Sequence, residues 1–226
     1  MSDALVISEV FGPTWQGEGP SVGRRAGFVR LGRCNQACRF CDTPYTWDWD
    51  HYDPAAELTA RSVPEVMAEL ESMDVDLVVV TGGEPLLQQR QLVTLVDECR
   101  RRRWRVEVET AGTIAPTLSV DKWNVSPKLA NSGMPVGRRR KPDILRAFEA
   151  TGQAVFKFVV VAPGDLDEIA DLVDECGLSD VWVMPEGTDP ETVLRGLRQL
   201  AEPVRSRGWN LTPRLQVLIW GDQRGV

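Results

Sequence analysis

Three of the five cysteines, Cys34, Cys38 and Cys41, fall within eight residues in the spacing C-x3-C-x2-C. An odd set of thiols is poor material for a disulfide framework, so this cluster reads as metal-binding or catalytic. A structural zinc site closes four ligands, usually as two C-x2-C pairs, and only Cys38 and Cys41 have that spacing. The sole histidine, His51, could complete a Cys3His zinc site. A 4Fe-4S cluster also takes four ligands, and a chain that supplies three leaves one iron open to a small molecule. Cys99 and Cys176 fall on apolar helical faces and read as core thiols.

The elements that must position this loop follow from the apolar pattern. Runs bounded by turn residues predict strands at Gly27 to Leu31, Asp76 to Thr81, Arg105 to Glu109, Lys122 to Val125, Val155 to Val161, Val181 to Met184 and Arg214 to Trp220. Helical periods lie between them. Ser62, Pro64 and Glu65 give one helix an N-cap, a first-turn proline and a capping-box acid. Gly177 stops the helix whose apolar face carries Leu166, Ile169, Val173 and Cys176. Such alternation specifies an α/β fold with a parallel sheet, and six or seven strands are too few for a complete eightfold barrel. A partial barrel or an open sheet is expected. The unusual loops all follow strands: the cysteine loop, Gly82-Gly83-Glu84-Pro85, Thr110 to Thr113, Ser126-Pro127-Lys128, and Pro185-Glu186-Gly187. Ligands bind at that rim in parallel α/β folds, so five loops build one site.

A formal net charge of -7 disfavours nucleic acid and anionic membranes as partners and suits a small ligand. No apolar run approaches the ~20 residues of a membrane helix. The amino-terminal MSDALVISEV has no leader-like apolar run, which predicts a cytoplasmic protein. Without repeats or long linkers, residues 1–226 read as one domain. The basic runs Arg100 to Arg103 and Arg138 to Lys141 read as solvated faces.

With Phe40 immediately before the last cysteine, the C-x3-C-x2-C loop resembles the radical S-adenosylmethionine (SAM) superfamily, whose open iron chelates SAM. Thr81-Gly82-Gly83-Glu84-Pro85 resembles its GGEP element and Ser126-Pro127-Lys128 its SPK element. The stretch EVFGPTWQGEGPSVGRRAGFVRLGRC, with CDTPYTWDWD, ETAGT and the carboxyl-terminal LQVLIWGDQRGV, is similar to the 7-carboxy-7-deazaguanine synthase family. The resemblance implies a partial TIM-like βα barrel of the radical SAM type. It implies cluster ligation by Cys34, Cys38 and Cys41, and Mg2+ contact by Thr43. Substrate contacts are implied for Trp15, Gln16, Gly17, Glu18, Arg30, Thr81, Gln216 and Val226. SAM contacts are implied for Phe40, Cys41, Asp42, Gly83, Glu84, Ser126, Pro127, Lys128, Met184, Pro185, Glu186 and Gly187. Gln216 stands where some members carry a histidine, and it cannot take a proton. Ala111 stands where an asparagine is common.

The implied function is a lyase of queuosine and 7-deazapurine biosynthesis that converts 6-carboxy-5,6,7,8-tetrahydropterin to 7-carboxy-7-deazaguanine and ammonia. The SAM-derived radical carries that chemistry, with no side chain assigned as acid or base. A flavodoxin or ferredoxin as electron donor and a homodimer are also implied. The residues support the substrate independently, since Glu18 suits the guanidine-like edge of a pterin and Arg30 its carboxylate. Two alternatives are a radical SAM activase acting on a protein partner, and a non-catalytic zinc or Fe-S module.

Overall fold

In the computed structural model, which describes residues 4–226, nine strands form one open sheet. Part of the amino-terminal stretch read for a leader, residues 1–3, lies outside the described residues. The strands are β1 (Leu5–Trp15), β2 (Arg25–Leu31), β3 (Thr59–Arg61), β4 (Leu77–Gly82), β5 (Arg105–Thr110), β6 (Lys122–Val125), β7 (Ala154–Val160), β8 (Val181–Pro185) and β9 (Asn210–Leu211). The helices are α1 (Pro54–Glu57), α2 (Val63–Ser72), α3 (Gln89–Arg101), α4 (Val136–Arg139), α5 (Pro142–Glu149), α6 (Asp165–Cys176), α7 (Pro190–Ser206) and α8 (Leu215–Trp220). The sheet order is β3-β1-β2-β4-β5-β6-β7-β8-β9. Neighbours from β2 to β9 are parallel, while β1 runs antiparallel to both β2 and β3. Parallel βα units that stop short of closing make a partial TIM-like barrel.

Strand alternation divides the chemistry between the two faces of this sheet. Val78, Val80, Val106, Val108, Trp123, Phe156 and Phe158 point to the helices and join Leu70, Leu92, Leu95, Phe148 and Ile169 in the main core. Trp123 meets Phe148 edge to face, with centroids 5.3 Å apart. On the opposite face a small apolar cluster of Ala26, Phe28, Leu77 and Val79 is joined by Phe11, which stacks on Phe28. Beside Val159 and Met184, that inner face carries the polar side chains of Glu107, Glu109, Asn124 and Lys157. Glu107 is fully buried there, accepting from Ser21 Oγ at 2.6 Å and Asn124 Nδ2 at 3.1 Å.

Six expected strands form, and α2 opens on the expected capping box, with Ser62 N donating to Glu65 Oε2 at 2.7 Å. One expectation is overturned: Arg214 to Trp220 is not a strand, because residues 215–220 form α8. A six-residue segment with five apolar residues does not separate strand from helix by its period. The exposed edge of β8 is taken by β9, and α8 instead docks its first turn on the amino-terminal motif, Leu215 N donating to Gly17 O at 2.9 Å. The sequence reading also missed β1, whose two register shifts against β2 blur its alternation.

Trp123 tests how the sheet is held to its helices. Its indole N–H has no hydrogen-bond partner among the described residues. Trp123→Ala is expected to lower stability by about 3–5 kcal/mol. Trp123→Phe, which keeps the ring and removes an unpaired donor, is expected to lose far less. Urea unfolding of both variants checks this, and equal losses would refute the packing account.

Candidate active site

The carboxyl ends of β2 and β4 are brought into contact by backbone. Gly83 N donates to Leu31 O at 3.0 Å and Glu84 N to Arg33 O at 2.8 Å. A Cβ on Gly83 would lie 2.0 Å from Arg33 O, so only glycine allows this approach. The GGEP turn is thereby seated against the cysteine loop, and both line a cavity of about 230 Å³ at the strand ends.

Cys34, Cys38 and Cys41 all line that cavity. Gln36 N donates to Cys34 Sγ at 3.4 Å and Trp47 Nε1 to Cys41 Sγ at 3.3 Å, contacts that suit sulfur carrying negative charge. Burial pushes the Cys34 thiol up to about 12 and also raises Cys38, so a metal must displace their protons. Among the described residues, no three Cys, His, Asp or Glu side chains gather as a single-ion site requires. Three thiols lining one hollow fit a 4Fe-4S cluster, which Cys34, Cys38 and Cys41 would hold. His51 is exposed, bonded to Asp48 Oδ2 at 2.9 Å and away from the cavity, which removes the fourth ligand of the zinc alternative. Cys99 and Cys176 are buried on α3 and α6.

Across the cavity stands Glu18. Its Oε2 takes the ammonium of Lys157; its Oε1 accepts from Gln216 Nε2 at 2.7 Å and Arg214 Nε at 3.3 Å. Burial alone would raise this carboxyl, but Lys157 and Arg214 outweigh it and bring it down to about 2. Glu18 is therefore an acceptor without a proton. A carboxylate offers roughly four lone-pair sites, and the three donors leave one for a ligand. Lys157 also lies 3.7 Å from Glu109, whose carboxylate accepts from Gln16 Nε2 at 3.2 Å and Thr81 Oγ1 at 2.9 Å. Arg214 continues to Asp42 of the cysteine loop and to Gly187 O at 2.7 Å. Gln216 packs against Gly17, where an added Cβ would fall 1.7 Å from its Oε1. The glycine between Gln16 and Glu18 is what lets α8 reach the carboxylate.

Arg30 is more committed than the sequence suggested. Its Nε donates to Glu9 Oε1 at 2.6 Å, and its guanidinium lies 5.2 Å from the Phe11 ring centroid. Its two Nη groups have no protein partner among the described residues, and Arg30 lines the cavity. Glu9 also accepts from Tyr45 Oη at 3.0 Å and Arg224 Nε at 3.3 Å. The segment after α8 is pinned there, and Val226 lines the cavity.

The other sequence-assigned residues divide clearly. Trp15, Gln16, Phe40, Asp42, Thr43, Thr81, Gly83, Ser126, Lys128, Met184 and Glu186 line the same cavity. Glu84, Pro127, Pro185 and Gly187 do not. Glu84 is fully buried and spends its carboxylate on Leu86 N, Ala111 N and Thr110 Oγ1, holding the GGEP turn to the end of β5. Lys157, Arg214, Glu109 and Asn124 line the cavity without having been singled out. Strand alternation held a signal for three of them: Val-Phe-Lys-Phe, Val-Glu-Val-Glu and Trp-Asn-Val put polar side chains on the face opposite the core.

Comparison with known proteins places these features in a group. The model of the radical SAM superfamily matches residues 29–132. The chain is 36% identical to the 7-carboxy-7-deazaguanine synthase of Pyrobaculum aerophilum, over 97% of this chain and 96% of that one. It is 29% identical to the 7-carboxy-7-deazaguanine synthase of Bacillus subtilis over the full length of both. The crystal structure of QueE from Escherichia coli superposes with a TM-score of 0.73 at 24% identity, covering 93% of this chain and 94% of that one.

The buried Glu18–Lys157 pair sets an acid limit. Folded Glu18 lies below the ordinary 4.5, so it adds stability that is complete above about pH 4.5 and lost as pH falls through about 2. Lys157→Met, which leaves a buried charge poorly paired, is expected to lower stability at neutral pH by about 3–5 kcal/mol. It should also start the acid loss at higher pH, because the carboxyl rises. Urea unfolding across pH 2 to 7 reads both, and an unchanged acid profile would show that Lys157 does not hold Glu18 ionised.

Proposed function

We propose a function from one premise: the chain belongs to the family of 7-carboxy-7-deazaguanine synthases. It is a radical SAM lyase that converts 6-carboxy-5,6,7,8-tetrahydropterin to 7-carboxy-7-deazaguanine with release of ammonia, a step of queuosine biosynthesis. The observation that carries this reading into the cavity is the pairing of an ionised acceptor, Glu18, with the guanidinium of Arg30 on one wall system. The pterin's donor-rich edge suits the first and its carboxylate the second. The activase and zinc-module readings have no such support.

The cofactors are a 4Fe-4S cluster, SAM and Mg2+. Cys34, Cys38 and Cys41 would hold the cluster, which together with SAM supplies the carbon-centred radical that begins the reaction. The residues present fit these groups. Glycine at position 83 keeps the backbone beside Cys34 free of a side chain, and Lys128, fixed by Ser126 O and Oγ at 3.0 Å each, offers a cation for the SAM carboxylate. Thr43, buried 3.6 Å from Cys41 Sγ, is assigned to Mg2+, which takes few protein ligands. Gln16 and Thr81, both bonded to Glu109, orient the polar wall on which the pterin lies. Glu18 accepts a ligand N–H through its remaining lone pair and holds no proton to give. Gln216 fixes Glu18 and does not titrate, so acid-base duty assigned to a histidine elsewhere in the family has no counterpart at this position. Phe11, Phe28 and Met184 cover the apolar part of the cavity and limit water. We read the whole chain as one domain acting in the cytoplasm as a homodimer, with a small one-electron carrier as its reductant.

Anaerobic incubation with SAM, reductant, Mg2+ and the carboxypterin, followed by mass spectrometry, tests the assignment, and absence of 7-carboxy-7-deazaguanine from cluster-replete protein would reject it. Cys34→Ser, Cys38→Ser and Cys41→Ser are each expected to lose the cluster and turnover, while Cys99→Ser and Cys176→Ser keep both; full iron occupancy in Cys38→Ser would contradict the ligand set. Thr43→Ala should raise the Mg2+ concentration needed for half-maximal turnover with SAM binding nearly intact. An unchanged Mg2+ dependence removes Thr43 from that role.

A further inference from the structure

Two tryptophans follow the cysteine motif, Trp47 and Trp49, and the fold treats them differently. Trp49 is exposed, with 40% of its surface accessible. Trp47 is half-buried, lines the cavity and donates its indole N–H to Cys41 Sγ at 3.3 Å. Sulfur is larger than oxygen, so a nitrogen at this distance is in full contact with it.

The backbone dictates where the indole points. Pro44–Thr46 form one short 3-10 turn, which Trp47 closes by donating its N–H to Pro44 O at 3.0 Å. Thr46 is fully buried: its N and its Oγ1 both donate to Thr43 O, at 3.0 and 2.8 Å, and its own O accepts from Arg33 N at 2.7 Å. The turn is thereby tied at one point to the residue before Cys34 and at another to Thr43, just past Cys41. Asp48 N donates to Pro44 O at 2.8 Å and continues the constraint beyond Trp47. The indole is set against Cys41 by a turn that is bonded to both ends of the cysteine loop.

The three sulfurs are not equivalent. Cys34 Sγ accepts from the backbone N–H of Gln36 at 3.4 Å, a donor that any residue but proline would supply at that position. Among the described residues, Cys41 is the one cysteine of the loop whose sulfur is met by hydrogen-bonding side chains, Trp47 Nε1 and Thr43 Oγ1 at 3.6 Å. The threonine hydroxyl can donate or accept, whereas an indole N–H can only donate.

We propose that Trp47 tunes the reduction potential of the cluster, holding an N–H dipole on Cys41 Sγ that favours the reduced state. The proposal rests on the radical SAM reading above. Reduction brings one electron from the one-electron carrier into the cluster, whose ligand sulfurs share the added negative charge; no bond to the protein is made or broken. A donor aimed at sulfur gains strength as the sulfur becomes more negative, so the indole stabilises the reduced cluster more than the oxidised one and raises the potential. Partial burial strengthens the effect, because water screens the contact less there. Loss of mere shielding acts with the opposite sign: water admitted beside a cluster sulfur donates to it and raises the potential. The sign of the shift therefore separates a donor from a cover.

Trp47→Phe, which keeps an aromatic ring and removes the N–H, is compared with the unaltered cluster-loaded enzyme and with Trp49→Phe. The measurements are iron content and an anaerobic redox titration, without SAM, of the reduced cluster's EPR signal. The potential of Trp47→Phe is expected to become more negative, by about three- to tenfold in the one-electron equilibrium constant, tenfold being about 59 mV. Iron content should be unchanged, and Trp49→Phe should keep the original potential. An unchanged or more positive potential in iron-replete Trp47→Phe would overturn the proposal, and so would an equal shift in Trp49→Phe. A second measurement uses the unaltered chain with 15N-labelled tryptophan, whose reduced cluster should show a weak 15N coupling in electron-nuclear double resonance. Absence of that coupling also overturns the proposal, and it decides the matter if Trp47→Phe takes up no iron. Iron-replete protein with an unshifted potential defeats the role of Trp47 alone, and an unaltered chain that binds no iron defeats the radical SAM reading with it.

Discussion

Glu18 is a carboxylate taken out of water, and the cavity depends on the donors that make this tolerable. Removing an ion from solvent costs several kcal/mol unless its lone pairs are met. The donors come from β7 as Lys157, from the segment entering α8 as Arg214, and from α8 itself as Gln216. Arg214 then reaches Asp42 in the cysteine loop and Gly187 after β8. One buried charge therefore fixes the amino-terminal motif, the carboxyl-terminal helix, a central strand and the cysteine loop relative to one another.

The sheet supports this arrangement by segregating its faces. Helix-facing positions of β4, β5, β6 and β7 are apolar and supply the packing that offsets chain entropy. The opposite positions carry Glu107, Glu109, Asn124 and Lys157, each met by an internal partner. Polar groups so arranged are rigid before a ligand arrives, and little reorganisation remains to be done on binding. The partial barrel leaves an open edge, and the segment after α8 closes part of it: Arg224 reaches Glu9, Glu57 at 2.8 Å and the Tyr45 ring at 3.7 Å.

Charge is distributed with the same economy. Most exposed arginines sit beside a carboxylate, so the net charge of -7 is spread without large fields of one sign. The cysteine loop and segment 128–141 are the departure, containing no Asp or Glu between residues 33 and 41 or between 128 and 141.

Local chemistry was legible in the sequence wherever function rests on covalent or backbone constraints within a few residues. C-x3-C-x2-C, the Gly82-Gly83 turn and the capping box at Ser62 each carry their meaning in their own spacing, and six strands followed from apolar runs bounded by turn residues. What only the tertiary structure decided are the long-range polar partners. Nothing near Glu18 in the chain announces Lys157 or Arg214, 139 and 196 residues away, because an ion pair has no sequence period. Arg30 turned to Glu9, and Glu84 turned from the cavity to the end of β5, for the same reason. The helix at residues 215–220 was likewise undecidable from its five apolar residues around Gln216: the edge of β8 was already filled by β9, and docking on Gly17 settled its conformation.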